Sequence, residues 1–248
     1  MPLPIAVQLY SVRDILPADF TGVVRRIAAM GYQGVETAGF PGSTPEAAAR
    51  LFRALGLTVC SAHVPMPTRE NQAEVFDTLA LLGCARAVVP WQPPELFQSL
   101  DGIARAAEAL NEAARLAAAY GVQLFYHNHA FELQPVAGRP ALYHLLERLD
   151  PAVMLEVDTY WARVGGVDPA ALLRDLGPRA ALLHIKDGPG TPDDPMVAVG
   201  DGVMDFPAVL AAADGHPAWL IVELDRCATD MMTAVERSYR YLSGLVGR

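Results

Sequence analysis

The chain has 248 residues, of which 52% are hydrophobic and 19% are charged, and its net charge is −9. This composition supports one large core and excludes a disordered chain. The acidic balance, with no basic cluster along the chain, argues against nucleic acid or membrane partners and favours a small molecule. Three scattered cysteines, the lack of a charged-then-apolar leader and the lack of a membrane-length apolar run predict a cytoplasmic protein.

Short apolar runs alternate with helical patterns along the whole chain. We predict strands at residues 5–9, 34–36, 57–63, 87–90, 122–127, 152–158, 180–185 and 218–223. Helices are predicted at about 19–31, 44–56, 70–83, 99–120, 140–149, 168–176, 206–213 and 229–245. Eight such units, without a glycine fingerprint after the first strand, favour a closed barrel over a doubly wound sheet. The predicted fold is α/β: a single (β/α)8 TIM barrel domain over residues 1–248, with the active site at the C-terminal ends of the strands.

Several predicted strands end in side chains that commonly bind metals or substrates. These are Gln8, Glu36, His63, His127, Asp158, His184 and Glu223, and strand alternation places Lys186 on the same face as His184. The strand ends of a parallel barrel share one mouth, so we expect these residues to meet there. Carboxylates and imidazoles without a thiolate suit one divalent ion, manganese, magnesium, cobalt or zinc, but not a structural zinc.

Seven motifs strengthen this interpretation: Gln8-Leu9-Tyr10-Ser11-Val12-Arg13, Gly31-Tyr32-Gln33-Gly34-Val35-Glu36, Ser61-Ala62-His63, Tyr126-His127-Asn128-His129-Ala130-Phe131-Glu132, Asp158-Thr159-Tyr160-Trp161, His184-Ile185-Lys186-Asp187 and Ile221-Val222-Glu223. With them the chain resembles the xylose isomerase-like barrel superfamily, the sugar phosphate isomerase/epimerase group with its inosose dehydratase-like and keto-sugar-processing members. For the ketose epimerases of this group the resemblance implies a metal held by Glu, Asp, His and Glu from strands five to eight. Asp158, His184 and Glu223 match the last three of these ligands.

The fifth strand departs from the epimerase pattern. His127 stands where those epimerases carry glutamate, and Glu132 follows five residues later. Either His127 binds the ion, or Glu132 does and leaves His127 and His129 to bind or protonate the substrate; we favour Glu132. Trp161 stands where the epimerases carry a histidine, which argues against an epimerase-type sugar contact.

The resemblance implies a metal-dependent isomerase, epimerase or dehydratase-type lyase that acts on a sugar, keto-sugar or cyclitol. A carboxylate or imidazole would remove a proton next to a carbonyl group, and the metal would stabilise the resulting enediolate. The predicted catalytic residues are His127, Glu132, Lys186 and Glu223; the predicted substrate contacts are Gln8, Glu36, His63, His129 and Trp161; the predicted metal ligands are Glu132, Asp158, His184 and Glu223.

Other interpretations remain open at this point. A buried acid at a strand end is often only a helix cap or an ion-pair partner. A sugar-binding barrel without catalysis would keep the same residues, and an apurinic-endonuclease-like hydrolase would share the fold, although the acidic charge argues against the latter. His144 and His216 are predicted to be surface residues. A homo-oligomer is one option for the assembly.

Overall fold

Eight parallel strands form the centre of the protein. They are β1 (Ile5–Gln8), β2 (Gly34–Thr37), β3 (Thr58–His63), β4 (Arg86–Val89), β5 (Gln123–His127), β6 (Met154–Asp158), β7 (Ala180–Ile185) and β8 (Trp219–Val222). Each strand pairs with its sequence neighbours, and β1 pairs with both β2 and β8, so the sheet closes. This computed structural model describes residues 3–247, and Met1, Pro2 and Arg248 of the predicted domain lie outside it. The closed parallel barrel confirms the predicted fold class.

Helices surround the barrel. They are α1 (Leu16–Met30), α2 (Pro45–Ala54), α3 (Gln72–Leu82), α4 (Leu100–Ala119), α5 (Ala141–Leu146), α6 (Thr159–Val164), α7 (Pro169–Leu176), α8 (Phe206–Ala213) and α9 (Met231–Val246). Residues 3–247 thus hold nine α-helices rather than the predicted eight. The additional helix, α6, follows β6 directly because the Asp158 side chain caps it, accepting a hydrogen bond from the Trp161 N–H at 2.8 Å. None of the described helices is long and apolar enough to cross a membrane.

The barrel interior is built in layers. Its lower layer is apolar and consists of Ala6, Cys60, Val88, Phe125, Leu182 and Ile221. Side chains alternate along a strand, so the residue two positions after an inward-facing one also faces inward. In four strands that residue is polar: Gln8, His127, His184 and Glu223. The same alternation that packs the apolar layer therefore places a polar layer above it, at the C-terminal mouth.

His144 differs from the sequence-based prediction. It was expected at the surface, but its side chain is buried beside a short hairpin that pairs Pro135–Val136 with Arg139–Pro140. Its Nε2 atom lies 2.8 Å from the Val136 carbonyl oxygen, and its Nδ1 accepts a hydrogen bond from Arg139. The surface prediction was wrong because sequence spacing around α5 gives no sign of the hairpin. His216 is exposed, as predicted.

Candidate active site

Two fully buried carboxylates, Glu36 on β2 and Glu156 on β6, form the lower part of the polar layer. Nε2 of His184 lies 2.7 Å from Glu36 Oε2 and 3.1 Å from Glu156 Oε2. Nε2 of His63 lies 3.1 Å and 2.9 Å from the same two oxygens. Each carboxylate therefore faces both imidazoles, and the four side chains form one buried cluster.

Lys186 occupies the upper part of the layer, among three carboxylates. Its Nζ atom lies 2.5 Å from Glu223 Oε2, 3.1 Å from Asp158 Oδ2 and 3.0 Å from each carboxylate oxygen of Asp225. His184 connects the two parts, because its Nδ1 atom lies 2.9 Å from Glu223 Oε2 while its Nε2 atom faces the lower carboxylates. Both ring nitrogens of this histidine are thus engaged.

His127 makes a second connection between the two parts. Its Nδ1 atom lies 3.2 Å from Glu156 Oε2, and its Nε2 atom lies 3.8 Å from Asp158 Oδ2. The His127 and His184 rings meet edge to face, with centroids 4.6 Å apart. Strand register explains the meeting: His127 pairs with Glu156, and Asp158 pairs with His184.

The donor atoms at this site fit a divalent cation. Two overlapping groups each bring four potential ligand atoms within 4.8 Å of one another: His63, His127, Glu156 and His184, and His127, Asp158, His184 and Glu223. Within residues 3–247, two buried oxygens here have neither a hydrogen-bond nor an ion-pair partner, Glu36 Oε1 and Glu156 Oε1, while Asp158 Oδ2 has only the Lys186 ammonium at 3.1 Å and His127 Nε2 at 3.8 Å. Burying a carboxylate oxygen without a partner is costly, and a cation would remove that cost. Mixed oxygen and nitrogen donors suit zinc, manganese, cobalt or magnesium.

Burial and charge shift the histidine pKa values in opposite directions. Burial opposes the charge on His63 and His184, but the surrounding carboxylates outweigh it, raising the pKa of His63 to about 10 and that of His184 well above its usual value. Burial, together with positive charges led by His184, lowers the pKa of His127 well below its usual value. Without a cation, these shifts favour a neutral imidazole at His127 and positively charged imidazolium rings at His63 and His184. A histidine ligand must be neutral, so cation binding at His184 would release a proton.

Lys186 is the only lysine of the chain; the other eighteen of its 19 basic residues are arginines. Its side chain is 1% exposed. Burial opposes its charge, but Asp158, Glu223 and Asp225 outweigh it and hold the Lys186 pKa well above the usual value. The site therefore keeps one fixed ammonium group. A single lysine directly after an apolar strand is a signal that can be read from the sequence.

Glu132 lies outside this cluster. Its Oε1 atom accepts a hydrogen bond from the Tyr126 hydroxyl at 2.6 Å, and its Oε2 atom accepts one from the His129 N–H at 2.8 Å. Tyr126 precedes His127 on β5, so it points away from the barrel axis, and its ring stacks on Phe97. Glu132 thus anchors the loop after β5, and the structure brings His127 rather than Glu132 into the group of potential ligands.

The other predicted substrate contacts fall into two sets. His63, His129 and Trp161 line the mouth of the barrel together with Lys186 and Glu223. Gln8 and Glu36 are fully buried beneath it, and Gln8 Nε2 donates a hydrogen bond to Glu36 Oε2 at 2.6 Å. Gln8 therefore orients a carboxylate of the lower cluster.

Two acidic residues of the site, Glu156 and Asp225, are absent from the set predicted from sequence. Glu156 lies two residues before Asp158, so strand alternation places both side chains on the same inner face. Glu156 can therefore be identified from the sequence by its spacing of two residues from Asp158 within one predicted strand. Asp225 follows β8 by three residues, in a loop whose direction no sequence pattern indicates.

Asp187, next to Lys186, holds the loop that follows β7. Its fully buried carboxylate accepts four backbone hydrogen bonds: from Gly188 at 2.9 Å, Gly200 at 2.9 Å, Gly202 at 3.0 Å and Met204 at 3.2 Å. This loop supplies Pro192 and Met196 to the mouth of the barrel. Asp187 therefore holds the backbone just after Lys186 in place, together with the loop that forms one wall of the site.

We expect Gly202→Ala to destabilise the protein by about 1–3 kcal/mol, the usual cost of overpacking. A Cβ atom at this position would lie 2.1 Å from Asp187 Oδ1 and 2.5 Å from the Gly188 nitrogen. Gly244→Ala in α9 is the matched control, because its Cβ would have no atom within 4 Å and alanine favours a helix. Urea unfolding of both variants measures the difference. Equal midpoints for Gly202→Ala and the unsubstituted protein would show that the Asp187 contacts do not hold this loop.

A cavity of about 730 Å³ opens above the cluster at the C-terminal mouth. Lys186, Glu223, His127 and His63 form its floor, and Trp91, Trp161 and Tyr10 contribute aromatic rings to its walls. Its volume falls in the range of about 300–1,000 Å³ that is typical of small-molecule sites. The charged cluster therefore lies at the base of a pocket that can admit a small organic molecule.

The family model described as xylose isomerase-like TIM barrel matches residues 24–243. The chain belongs to this family. Among curated family relatives, an inosose dehydratase of Klebsiella pneumoniae is 30% identical over 144 residues, which are 49% of this chain and 47% of the relative. The chain thus spans about half the length of the curated relatives it matches.

Solved structures support the family assignment over nearly the whole barrel. A sugar phosphate isomerase/epimerase of Parabacteroides distasonis superposes with a TM-score of 0.82 and 26% identity, covering 97% of this chain and 93% of the other. A structure of the IOLI protein with a bound zinc atom gives a TM-score of 0.77 at 15% identity, covering 99% of this chain and 98% of the other. At that identity the second likeness concerns the fold alone.

Proposed function

We propose that this protein is a divalent-cation-dependent lyase or isomerase that removes a proton next to a carbonyl group of a sugar, keto-sugar or cyclitol. The observation that carries the proposal is the convergence of His127, Asp158, His184 and Glu223 within 4.8 Å at the base of the cavity, with Lys186 beside them. The names of the relatives, inosose dehydratase and sugar phosphate isomerase/epimerase, support the same class of chemistry.

His127, Asp158, His184 and Glu223 would hold one manganese, magnesium, cobalt or zinc ion. A bound divalent cation supplies a Lewis acid that polarises a carbonyl oxygen and stabilises the negative charge left when the neighbouring C–H loses its proton. The lower cluster supports the ligands, because Glu36 and Glu156 contact the ring nitrogens of His184 and His127. Such outer contacts fix the orientation and tautomer of a ligating imidazole.

Glu223 and Lys186 form a base and an acid side by side. The contacts of Glu223 with His184 and Lys186 both use Oε2, which leaves Oε1 to accept a proton from a molecule in the cavity. Lys186 stays protonated and can donate a proton to a departing hydroxyl or alkoxide. An acid next to a base suits elimination of water or an alcohol, so within this class we favour a dehydratase-type lyase over an epimerase.

We expect metal-replete protein to bind about one divalent ion per chain, and His127→Ala to weaken binding more than Glu132→Gln. His127 belongs to the group of four potential ligands, whereas Glu132 is held by Tyr126 and the His129 N–H. A residue outside the group of ligands should contribute less to the affinity for the cation than a direct ligand does. Calorimetric titration with Mn²⁺ or Co²⁺ ranks the two variants. The reverse ranking would assign the ligand to Glu132, and the absence of any bound ion would remove the metal site altogether.

Incubation with keto-sugars and cyclitol ketones in deuterated water tests the reaction. A true substrate should gain deuterium next to its carbonyl group, or eliminate water or an alcohol, only when the cation is present. Proton NMR and mass spectrometry follow both outcomes. Turnover by a direct hydride shift, with neither exchange nor elimination, would contradict the mechanism. Tight binding of a sugar without turnover would instead favour a sugar-binding barrel.

A further inference from the structure

The backbone pairing between β5 and β6 stops before it reaches Asp158. The last pair of these two strands is His127 with Glu156, so Asp158 lies two residues beyond it on β6. After His127 the chain leaves the sheet and enters the loop that Glu132 anchors. Buried backbone N–H and C=O groups need hydrogen-bond partners. At Asp158, which is fully buried, the partner on this side cannot be the backbone of β5.

The Asn128 side chain takes the place of the missing strand. Its Oδ1 atom accepts a hydrogen bond from the Asp158 N–H at 3.0 Å, and its Nδ2 atom donates one to the Asp158 carbonyl oxygen at 3.4 Å. One buried side-chain amide thus bonds both backbone groups of Asp158, which β5 would have bonded had it continued. Asn128 therefore acts on the site through the position of Asp158.

Thr159 makes a similar contact between β6 and β7. Its Oγ1 atom donates a hydrogen bond to the His184 carbonyl oxygen at 3.1 Å, and its side chain is fully buried. In the register of these strands Asp158 pairs with His184, so the hydroxyl contact lies directly after the last pair. The backbone of His184 is thereby tied to the residue that follows Asp158.

These contacts leave one oxygen of the Asp158 carboxylate for the site. Oδ1 accepts the hydrogen bond from the Trp161 N–H at 2.8 Å, whereas Oδ2 lies 3.8 Å from His127 Nε2. The backbone of Asp158 and one of its carboxylate oxygens are thus both held. The distance from Oδ2 to the neighbouring imidazoles therefore depends on the hydrogen bonds of Asn128 and Thr159.

We propose that Asn128 and Thr159 are positioning residues of the cation site. They set the distances among His127, Asp158 and His184, and they act on the cation only through these side chains. The inference rests on the proposed function, which assigns the three side chains as ligands. Removing either positioning residue leaves every ligand in the chain, so cation binding should weaken and change its geometry rather than disappear.

Titration of metal-free protein with Co²⁺ tests the proposal. We expect Asn128→Ala and Thr159→Val to raise the Co²⁺ dissociation constant by about 10- to 100-fold, the usual cost of losing a contact that orients a ligand. Thr159→Val keeps the shape of the side chain but removes the hydroxyl, whereas Thr159→Ser keeps the hydroxyl and should bind Co²⁺ almost as the unsubstituted protein does. Calorimetry gives the constants. The visible absorption bands of bound Co²⁺, which report coordination geometry, should change in the two weakened variants and not in Thr159→Ser.

Ser238→Ala in α9 is the matched control. The Ser238 hydroxyl is also fully buried, and it accepts a hydrogen bond from the Val199 N–H at 2.9 Å and donates one to the Ala234 carbonyl oxygen at 2.7 Å. Its loss should lower the urea midpoint, as the loss of the Thr159 hydroxyl does, but leave the Co²⁺ constant and spectrum unchanged. If Asn128→Ala does not fold, the comparison of Thr159→Val with Thr159→Ser decides the outcome.

The possible failures are distinguishable. Unchanged Co²⁺ binding and an unchanged spectrum in Thr159→Val would overturn the proposal, as would equal effects from Thr159→Ser or from Ser238→Ala. Those results leave the proposed function intact, because the unsubstituted protein still binds the cation. Absence of Co²⁺ binding by the unsubstituted protein would instead remove the cation site, and the proposed function and this inference would then fail together.

Discussion

Replacing His184 with alanine should abolish stoichiometric cation binding and lower kcat/KM by a factor of about a thousand or more. Both ring nitrogens of His184 contact carboxylates at short distances: Nδ1 lies 2.9 Å from Glu223 Oε2, and Nε2 lies 2.7 Å from Glu36 Oε2. Its loss would remove one proposed ligand and leave His127 as the remaining imidazole between the upper and lower parts of the cluster. Glu36, Glu156, Asp158 and Glu223 would then lose the positive charge of His184 and keep Lys186 and His63 as their cationic partners, so the pKa values of these carboxyl groups should rise.

His144→Ala is the matched control, because it also removes a buried imidazole but lies beside the hairpin rather than in the barrel. Both variants should lose stability, and only His184→Ala should lose the ion. Elemental analysis of the purified proteins, circular dichroism and initial rates separate folding from binding. Full metal content in a folded His184→Ala protein would disprove the ligand assignment.

The barrel and three of the four potential ligands can be read from the sequence. Asp158, His184 and Glu223 each end an apolar run, and the strand ends of a parallel barrel share one mouth. The expectation that they meet there agrees with the structure, where their potential ligand atoms lie within 4.8 Å. Side chains two residues apart in an extended strand point to the same face, which also explains why His184 and Lys186 both point into the barrel.

Sequence reasoning could not decide which residue near the end of the fifth strand joins the potential metal ligands. Glu132 and His127 lie close in sequence, and spacing alone cannot show which way the loop after β5 turns. The loop turns away from the barrel axis because the outward-facing hydroxyl of Tyr126 donates a hydrogen bond to the Glu132 carboxylate at 2.6 Å. Hydrogen bonds that close a loop in this way depend on three-dimensional contacts that no local pattern encodes.

The lower cluster and the part of the mouth around Trp91 are equally hard to derive from sequence. Glu36 and Glu156 meet the same two imidazoles from strands that are 120 residues apart, and which carboxylate reaches which nitrogen follows from barrel stagger. Trp91 lies in a proline-rich loop that gives no periodicity to interpret. The contacts of residues that are placed by closure of the barrel or by loop packing therefore cannot be predicted from the sequence before the fold is known.

Lys186→Met should lower kcat by a factor of about 10² to 10⁴, the usual contribution of a positioned acid. It should also destabilise the metal-free protein by about 3–5 kcal/mol, because the Asp158 and Glu223 carboxylates lose the buried cation that compensates them. Methionine keeps an unbranched apolar stem, so the change removes chiefly the charge. Added divalent cation should restore a large part of the lost stability, since under the proposed function it would bind the same carboxylates in the folded state only.

The pH dependence has a definite sign. Because the folded pKa of Lys186 is raised above its unfolded value, the ammonium group contributes its full stability below that unfolded value. The contribution is lost only as the pH rises through the higher folded pKa. Between pH 6 and 9, about the range of most assays, the stability difference between the metal-free protein and Lys186→Met should therefore stay nearly constant, apart from changes that the histidines cause in both.

The single lysine makes this prediction directly measurable. After labelling with ¹⁵N-lysine, the side chain of the unsubstituted protein gives one nitrogen signal, and its chemical shift should report a protonated amine throughout that pH range. Arg174→Met, which removes an exposed positive charge from α7, is the control for a change in net charge alone. A neutral amine signal at pH 9, or a Lys186→Met protein as stable and as active as Arg174→Met, would show that Lys186 is neither the compensating cation nor the proton donor of the site.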